Sequence, residues 1–175
     1  MEIRTDYRVI LDILEALNDP DLNNAEKAEV LIRLFYVEPE EIPDLQAAIE
    51  TCYWFIECGE EKDNRKRPRL MDWEQDFPII ISAINRVYGG DVRGIKYDRT
   101  NNTGGLHWWT FMAAYTEIGD CYFAQVVRIR DKRARGKKLD KEEKAWYKEN
   151  RAKVDLKHKY SEAEEELLSA LIGGK

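Results

Sequence analysis

Apolar side chains recur along this chain at intervals of three and four residues, the spacing that lines one face of an α-helix. Tyr7, Ile10, Leu11, Leu14 and Leu17 keep that period, with Thr5 or Asp6 as cap and Asn18-Asp19-Pro20 as stop, which predicts a helix over 5–17. Asn23 or Asn24 caps a second helix with Ala28, Leu31, Ile32 and Phe35 as its buried stripe. Val37-Glu38-Pro39 breaks it, because the residue before proline avoids the helical region. A third helix from about Pro43 to Cys58 would line Leu45, Ala48, Ile49, Cys52, Tyr53 and Ile56 on one face. Three helices with short connections predict an antiparallel bundle over 1–58.

Residues 59–69 carry no apolar side chain and read as a loop. Phe77, Ile80, Ile81, Ile84 and Tyr88 then mark a helix capped by Asp72, or by Asp76 if Pro78 is to fall in the first turn, and stopped by Gly89-Gly90. Residues 89–105 have loop composition, and Arg93 is expected to pin that loop onto a carboxylate or onto helix-end carbonyls. Leu106-His107-Trp108-Trp109-Thr110-Phe111-Met112 opens the helix on which the chain centres, 106–118. Trp108, Phe111, Met112 and Tyr115 share one face, and Trp109, Ala113 and Thr116 form an adjacent stripe. The two tryptophans lie about 100° apart on the helical wheel, so one is expected to anchor the core while the other is either core or presented to a partner. Further helices follow over 120–135 and from Asp140 to about 153, the latter with a capping box of Asp140 and Glu143. A last one carries Leu167, Leu168, Leu171 and Ile172. No segment alternates like a strand. The pattern predicts an all-α fold, a multi-helix bundle of about seven or eight helices around a central aromatic helix. Residues 1–58 would form its first bundle, 72–156 would pack around the aromatic helix, and 157–175 would be a C-terminal helix.

With 43% hydrophobic and 35% charged residues in 175, the chain has the composition of one soluble globular domain or little more. It has no apolar run near the ~20 residues that cross a bilayer and no secretory signal, so membrane association is not expected. Cys52, Cys58 and Cys121 are expected as reduced cytosolic thiols. Charge is unevenly placed. Residues 1–63 hold five Lys and Arg against 17 Asp and Glu, a balance of −12, and the remainder holds 23 against 17, a balance of +6. Either the halves neutralise each other internally, or copies associate head to tail. For the second case Arg128 and Arg130 are candidate cations, with Phe35, Tyr36 and Trp54 as an exposed apolar centre.

Catalytic chemistry finds no footing. His107 and His158 are the only histidines, neither has a ligand partner at helical spacing, and no phosphate-binding glycine loop is present. His107 is expected to cap or pack. No enzyme activity, metal or cofactor is expected. The basic clusters Arg65–Arg69 and 128–138 raise nucleic-acid binding as an alternative, an unfavoured one without a recognition helix or stacking platform.

Asp72-Trp73-Glu74-Gln75-Asp76-Phe77-Pro78 with Ile80, then Asp91-Val92-Arg93, Leu106-His107-Trp108-Trp109-Thr110-Phe111, Val127-Arg128-Ile129-Arg130 and Lys138-Leu139-Asp140-Lys141 resemble the phage tail-region family known as gp-fifteen. The resemblance covers about half the chain, from Asp72 to Leu156, and extends to the N-terminal residues only in helical character. It implies a phage or prophage gene lying between the major tail protein and the tape measure, the position of tail assembly chaperones. It therefore implies a non-catalytic protein that binds phage tail proteins, the tape measure protein first, in the bacterial host cytoplasm. A structural component kept in the virion is the alternative within that context. On this view Trp73, Trp108, Trp109, Phe111 and Tyr115 are core anchors or partner contacts, and Asp72, Arg93 and His107 are structural polar groups.

Overall fold

The computed structural model describes residues 1–61 and 65–164. Among them seven α-helices follow in order: α1 (Tyr7–Leu17), α2 (Asn24–Phe35), α3 (Leu45–Ile56), α4 (Trp73–Tyr88), α5 (Trp108–Thr116), α6 (Tyr122–Ala134) and α7 (Lys141–Val154). The helical bundle is as expected. Of the expected C-terminal helix, Leu167, Leu168, Leu171 and Ile172 lie outside the described residues. Its cap is described: Ser161 N–H donates to Glu164 Oε2 at 2.9 Å, and Glu164 N–H to Ser161 Oγ at 3.3 Å.

The departure from an all-helical chain falls in 89–105, where a 3-10 turn (Val92–Gly94) precedes a small antiparallel hairpin, β1 (Tyr97–Asp98) and β2 (Thr103–Gly104). Strands of two residues are too short to display an alternating pattern. Their turn is closed by Asp98, whose carboxylate accepts from the Asn101 side-chain amide at 2.7 Å and from the backbone N–H groups of Asn101 and Thr100. Those donors hold the Asp98 carboxyl below the usual carboxylate range.

The helix starts follow from side-chain oxygens placed to accept the first free N–H groups. Asn23 and Glu26 form a reciprocal capping box on α2, and Asp140 and Glu143 form another on α7. Asp72 rather than Asp76 caps α4, accepting from Gln75 N–H at 2.7 Å, so Pro78 lies inside the helix. One intrahelical bond is lost there, and Asp76 is drawn elsewhere.

One hydrophobic core runs through Ile10 and Ile13 of α1, Leu31 and Phe35 of α2, Cys52 and Phe55 of α3, Ile80 and Ile84 of α4, and Trp108 and Phe111 of α5. The N-terminal three helices thus share their core with the segment after residue 72. A smaller cluster of Val126, Ile129 and Val154 joins α6 to α7. On α3 the buried face differs from expectation, since Leu45 and Tyr53 are exposed and Phe55 is buried. That helix is apolar around much of its circumference, so periodicity alone does not select a side.

Behind α4, Arg130 of α6 reaches Asp76, and both side chains are at least 95% buried. The Arg130 guanidinium donates to both Asp76 oxygens at 2.6 and 2.9 Å and to the carbonyls of Leu70, Lys153 and Val154 at 2.7–2.9 Å. That is one acceptor for each of its five N–H donors. Asp76 also accepts from Asp72 N–H at 3.0 Å. The pair ties α4, α6, the end of α7 and the segment before α4 together. Arg130, a candidate interface cation by sequence, is therefore a buried structural residue, because a partner carboxylate and three carbonyls replace its hydration.

Candidate docking surface

The aromatic helix α5 is organised around the end of α3. The Trp108 indole Nε1 donates to the Ile56 carbonyl and the Trp109 Nε1 to the Phe55 carbonyl, each at 2.9 Å. Carbonyls in a helix's last turn have no intrahelical donor, so two successive tryptophans supply what the α3 backbone lacks. Trp108 is 1% exposed, as expected of one of the pair. It stacks on Phe111 and meets Trp73 edge-on, while Phe111 stacks on Tyr7 at 4.5 Å and Trp73 leans on Tyr115. Trp73, Trp108, Phe111 and Tyr115 are thus one packed cluster, Trp108 and Phe111 buried and Trp73 and Tyr115 half-buried. Trp109 lies at its edge, half-buried, packed on Phe55 and on Trp54.

The start of α5 is locked to the start of α1. Tyr7 N–H donates to Leu106 O at 2.9 Å and Trp108 N–H to Thr5 O at 2.7 Å. The buried Asp6 carboxylate caps α1 through Arg8 N–H and accepts from Leu106 N–H at 2.7 Å. A Cβ at residue 105 would fall 2.4 Å from Asp6 Oδ2, and φ there is +86°, so glycine is required. Arg8 pairs with Asp6 and donates to the carbonyls of Val92, Arg93 and Ile95. The expected pinning of the 89–105 loop therefore belongs to Arg8. Arg93 does meet a carboxylate, Asp91 at 2.9 Å, but on its own exposed turn. It holds the Asp91 carboxyl down to about 2. The spacing of Arg8 shows nothing of this, because its partners lie some eighty residues away.

His107 caps α5, its Nδ1 accepting from Trp109 N–H at 3.1 Å. Phe55 and Trp109 pack on the ring, and burial lowers its pKa. The cap requires the neutral ring, since imidazolium has no acceptor. A folded-state value below the unfolded one gives stability that is present above the unfolded pKa, about 6.5, and is lost as pH falls toward the folded value. Urea melts at pH 7.5 and 5.5 should show this loss, and His107→Asn, which keeps a capping acceptor, should show less of it. An equal pH dependence in the variant would contradict the cap's role.

These anchors hold α3 as an outer helix with two unpartnered features. The first is a groove of about 400 Å³ between α2 and α3. It is lined by Ala25, Ala28 and the buried Ile32 of α2, Leu45 and Ile49 of α3, and Pro39 and Glu40 between them, with Glu29 and Arg33 of α2 paired to each other along its edge. Alanines on the first turns of α2 leave this space open. The second is Trp54, 52% exposed, edge-on to Trp109 at 5.5 Å. Gly59 lies against it: at φ +79° an added Cβ would sit 3.3 Å from the indole. Leu45, 59% exposed, and Tyr53 extend the apolar exposure along α3.

Of the expected interface residues, Trp54 and Arg128 are exposed. Phe35 and Tyr36 are buried instead, because the N-terminal segment crosses the end of α2. Arg4 donates there to the carbonyls of Arg33, Leu34 and Tyr36, and the Tyr36 hydroxyl donates to Ala48 O at 3.1 Å. The basic end of α6 is largely engaged within the fold: Lys132 pairs with Glu143, Arg133 with Asp155 and Arg135 with Asp131. Among the described residues no group of His, Cys, Asp and Glu is arranged to hold a metal, and no helix is long and apolar enough to cross a membrane. Burial pushes the Cys52 thiol up to about 12, which leaves it un-ionised at neutral pH.

Residues 1–156 match the family model described as Bacteriophage Gp15 protein. The match includes the N-terminal helices, where the sequence alone shows only helical character. No curated protein and no solved structure matches the chain.

Proposed function

The chain belongs to the Bacteriophage Gp15 family, and on that premise we propose that this phage protein is a tail assembly chaperone-like protein that binds the tape measure protein without catalysis. It would act in the host cytoplasm before the tail tube closes around its client. The observation that carries the reading is the groove between α2 and α3, lined by six apolar residues together with the charged Glu29, Arg33 and Glu40. Tape measure proteins are long and helical, and an amphipathic helix laid in an apolar groove is a standard mode of recognition. Nucleic-acid binding gains nothing from α6, whose cations are largely paired within the fold.

Co-expression with the tape measure protein of the same phage tests the reading. Wild-type protein is expected to keep its client soluble and to co-purify with it. Ala25→Trp and Leu45→Glu, at exposed groove positions, are expected to reduce recovery while leaving thermal melting unchanged. Tape measure protein that is equally soluble without this chain, or stoichiometric retention of the chain in finished virions, would count against a chaperone.

A further inference from the structure

Charge around α3 narrows the chemistry of the occupant. From Glu38 to Glu61 the sequence contains eight acids and no lysine or arginine. Among the described residues, the ion pairs formed by residues 1–57 are Asp6 with Arg8, Asp12 with Arg99 and Glu29 with Arg33. None involves an acid between 38 and 57. The basic end of α6 largely meets its counter-charges within the fold, and Glu29 of the groove pairs with Arg33, whereas Glu40 of the groove and its neighbours Glu38, Glu41 and Asp44 make no ion pair among the described residues.

We propose that the α2–α3 groove takes a cationic amphipathic helix. The proposal rests on the docking reading above and specifies its partner. Small and medium apolar side chains, recurring every three or four residues, would fill the space over Ile32 and Ile49. Lysine and arginine on that helix meet Glu40, which lines the groove, and its sequence neighbours Glu41 and Asp44. Ala25 and Ile32 lie about 10 Å apart along α2, so roughly two turns of partner helix span the site. Apolar contact supplies most of the affinity, and the charges set orientation and speed of encounter. Nucleic acid has the wrong sign for this surface. A second copy of this chain fits poorly as occupant, because Phe123, Val126 and Ile129 on its basic helix are buried in its own core.

Three synthetic helical peptides with one common alanine–leucine stripe, and lysine, glutamine or glutamate on the polar face, separate the possibilities. Titration calorimetry at low salt is expected to find the lysine peptide bound about tenfold or more tightly than the glutamate peptide, the summed effect of several weak ion pairs. Raising the salt should shrink that difference, as should Glu40→Gln with Glu41→Gln. Ala25→Trp should abolish binding. Equal affinity for the lysine and glutamate peptides, both blocked by Ala25→Trp, would overturn the cationic assignment and leave groove docking intact. Lysine-peptide binding that survives Ala25→Trp would overturn the placement in the groove. If no peptide binds while the tape measure protein still co-purifies, this inference falls and the chaperone reading stands.

Discussion

Replacing Arg130 with methionine is expected to destabilise the protein by about 3–5 kcal/mol, the usual cost of removing one partner from a buried ion pair. The substitution leaves Asp76 charged in the interior with only the Asp72 N–H as a hydrogen-bond donor, and frees the carbonyls of Leu70, Lys153 and Val154. Asp76→Leu should cost a similar amount. The double variant should cost much less than the two together, because an apolar pair of similar volume removes both charges. Urea denaturation of the four proteins measures this directly. Additive single-variant effects would contradict coupling between Asp76 and Arg130.

Trp108→Ala is expected to cost about 3–5 kcal/mol, combining a large cavity with lost packing. It also leaves the Ile56 carbonyl without its side-chain donor. Trp109→Ala should cost less, because that ring is only half-buried, although its indole makes the equivalent bond to Phe55. Melting behaviour unchanged by both substitutions would show that α5 does not anchor α3.

The helix order, the caps at Asn23, Asp72 and Asp140, and the central place of the aromatic helix were legible because they depend on neighbours within one turn. The roles of Arg8, Asp6 and Arg130 were not, because each depends on a partner 54 to 100 residues away, Ile95, Leu106 and Asp76 respectively. A partial signal existed for the buried pair. Asp76 shares the spacing of Ile80 and Ile84, and Arg130 shares that of Phe123 and Val126, so a lone charge interrupts each apolar face. Phe35 and Tyr36 read as exposable because nothing local reveals that the N-terminal segment covers them. The groove was hidden for a related reason: Ala25 and Ala28 mark small side chains, but only the placement of α3 turns them into an opening.

The acids of 38–61 also change meaning in three dimensions. In sequence they contribute to a negative half that could face a positive half of the same molecule or of another. In the fold the basic end of α6 is largely engaged with its own carboxylates, and the acids leading into α3 are left beside the groove. Binding would then be steered by charge and held by apolar burial, which suits reversible protection of a helical client.

Hydrogen exchange on the protein alone and in complex with the tape measure protein tests groove docking most directly. Slower exchange concentrated in α2 and α3 on complex formation, with α6 and α7 unchanged, is the expected result. Protection confined to residues 122–154, or no protection anywhere in residues 24–56, would contradict it.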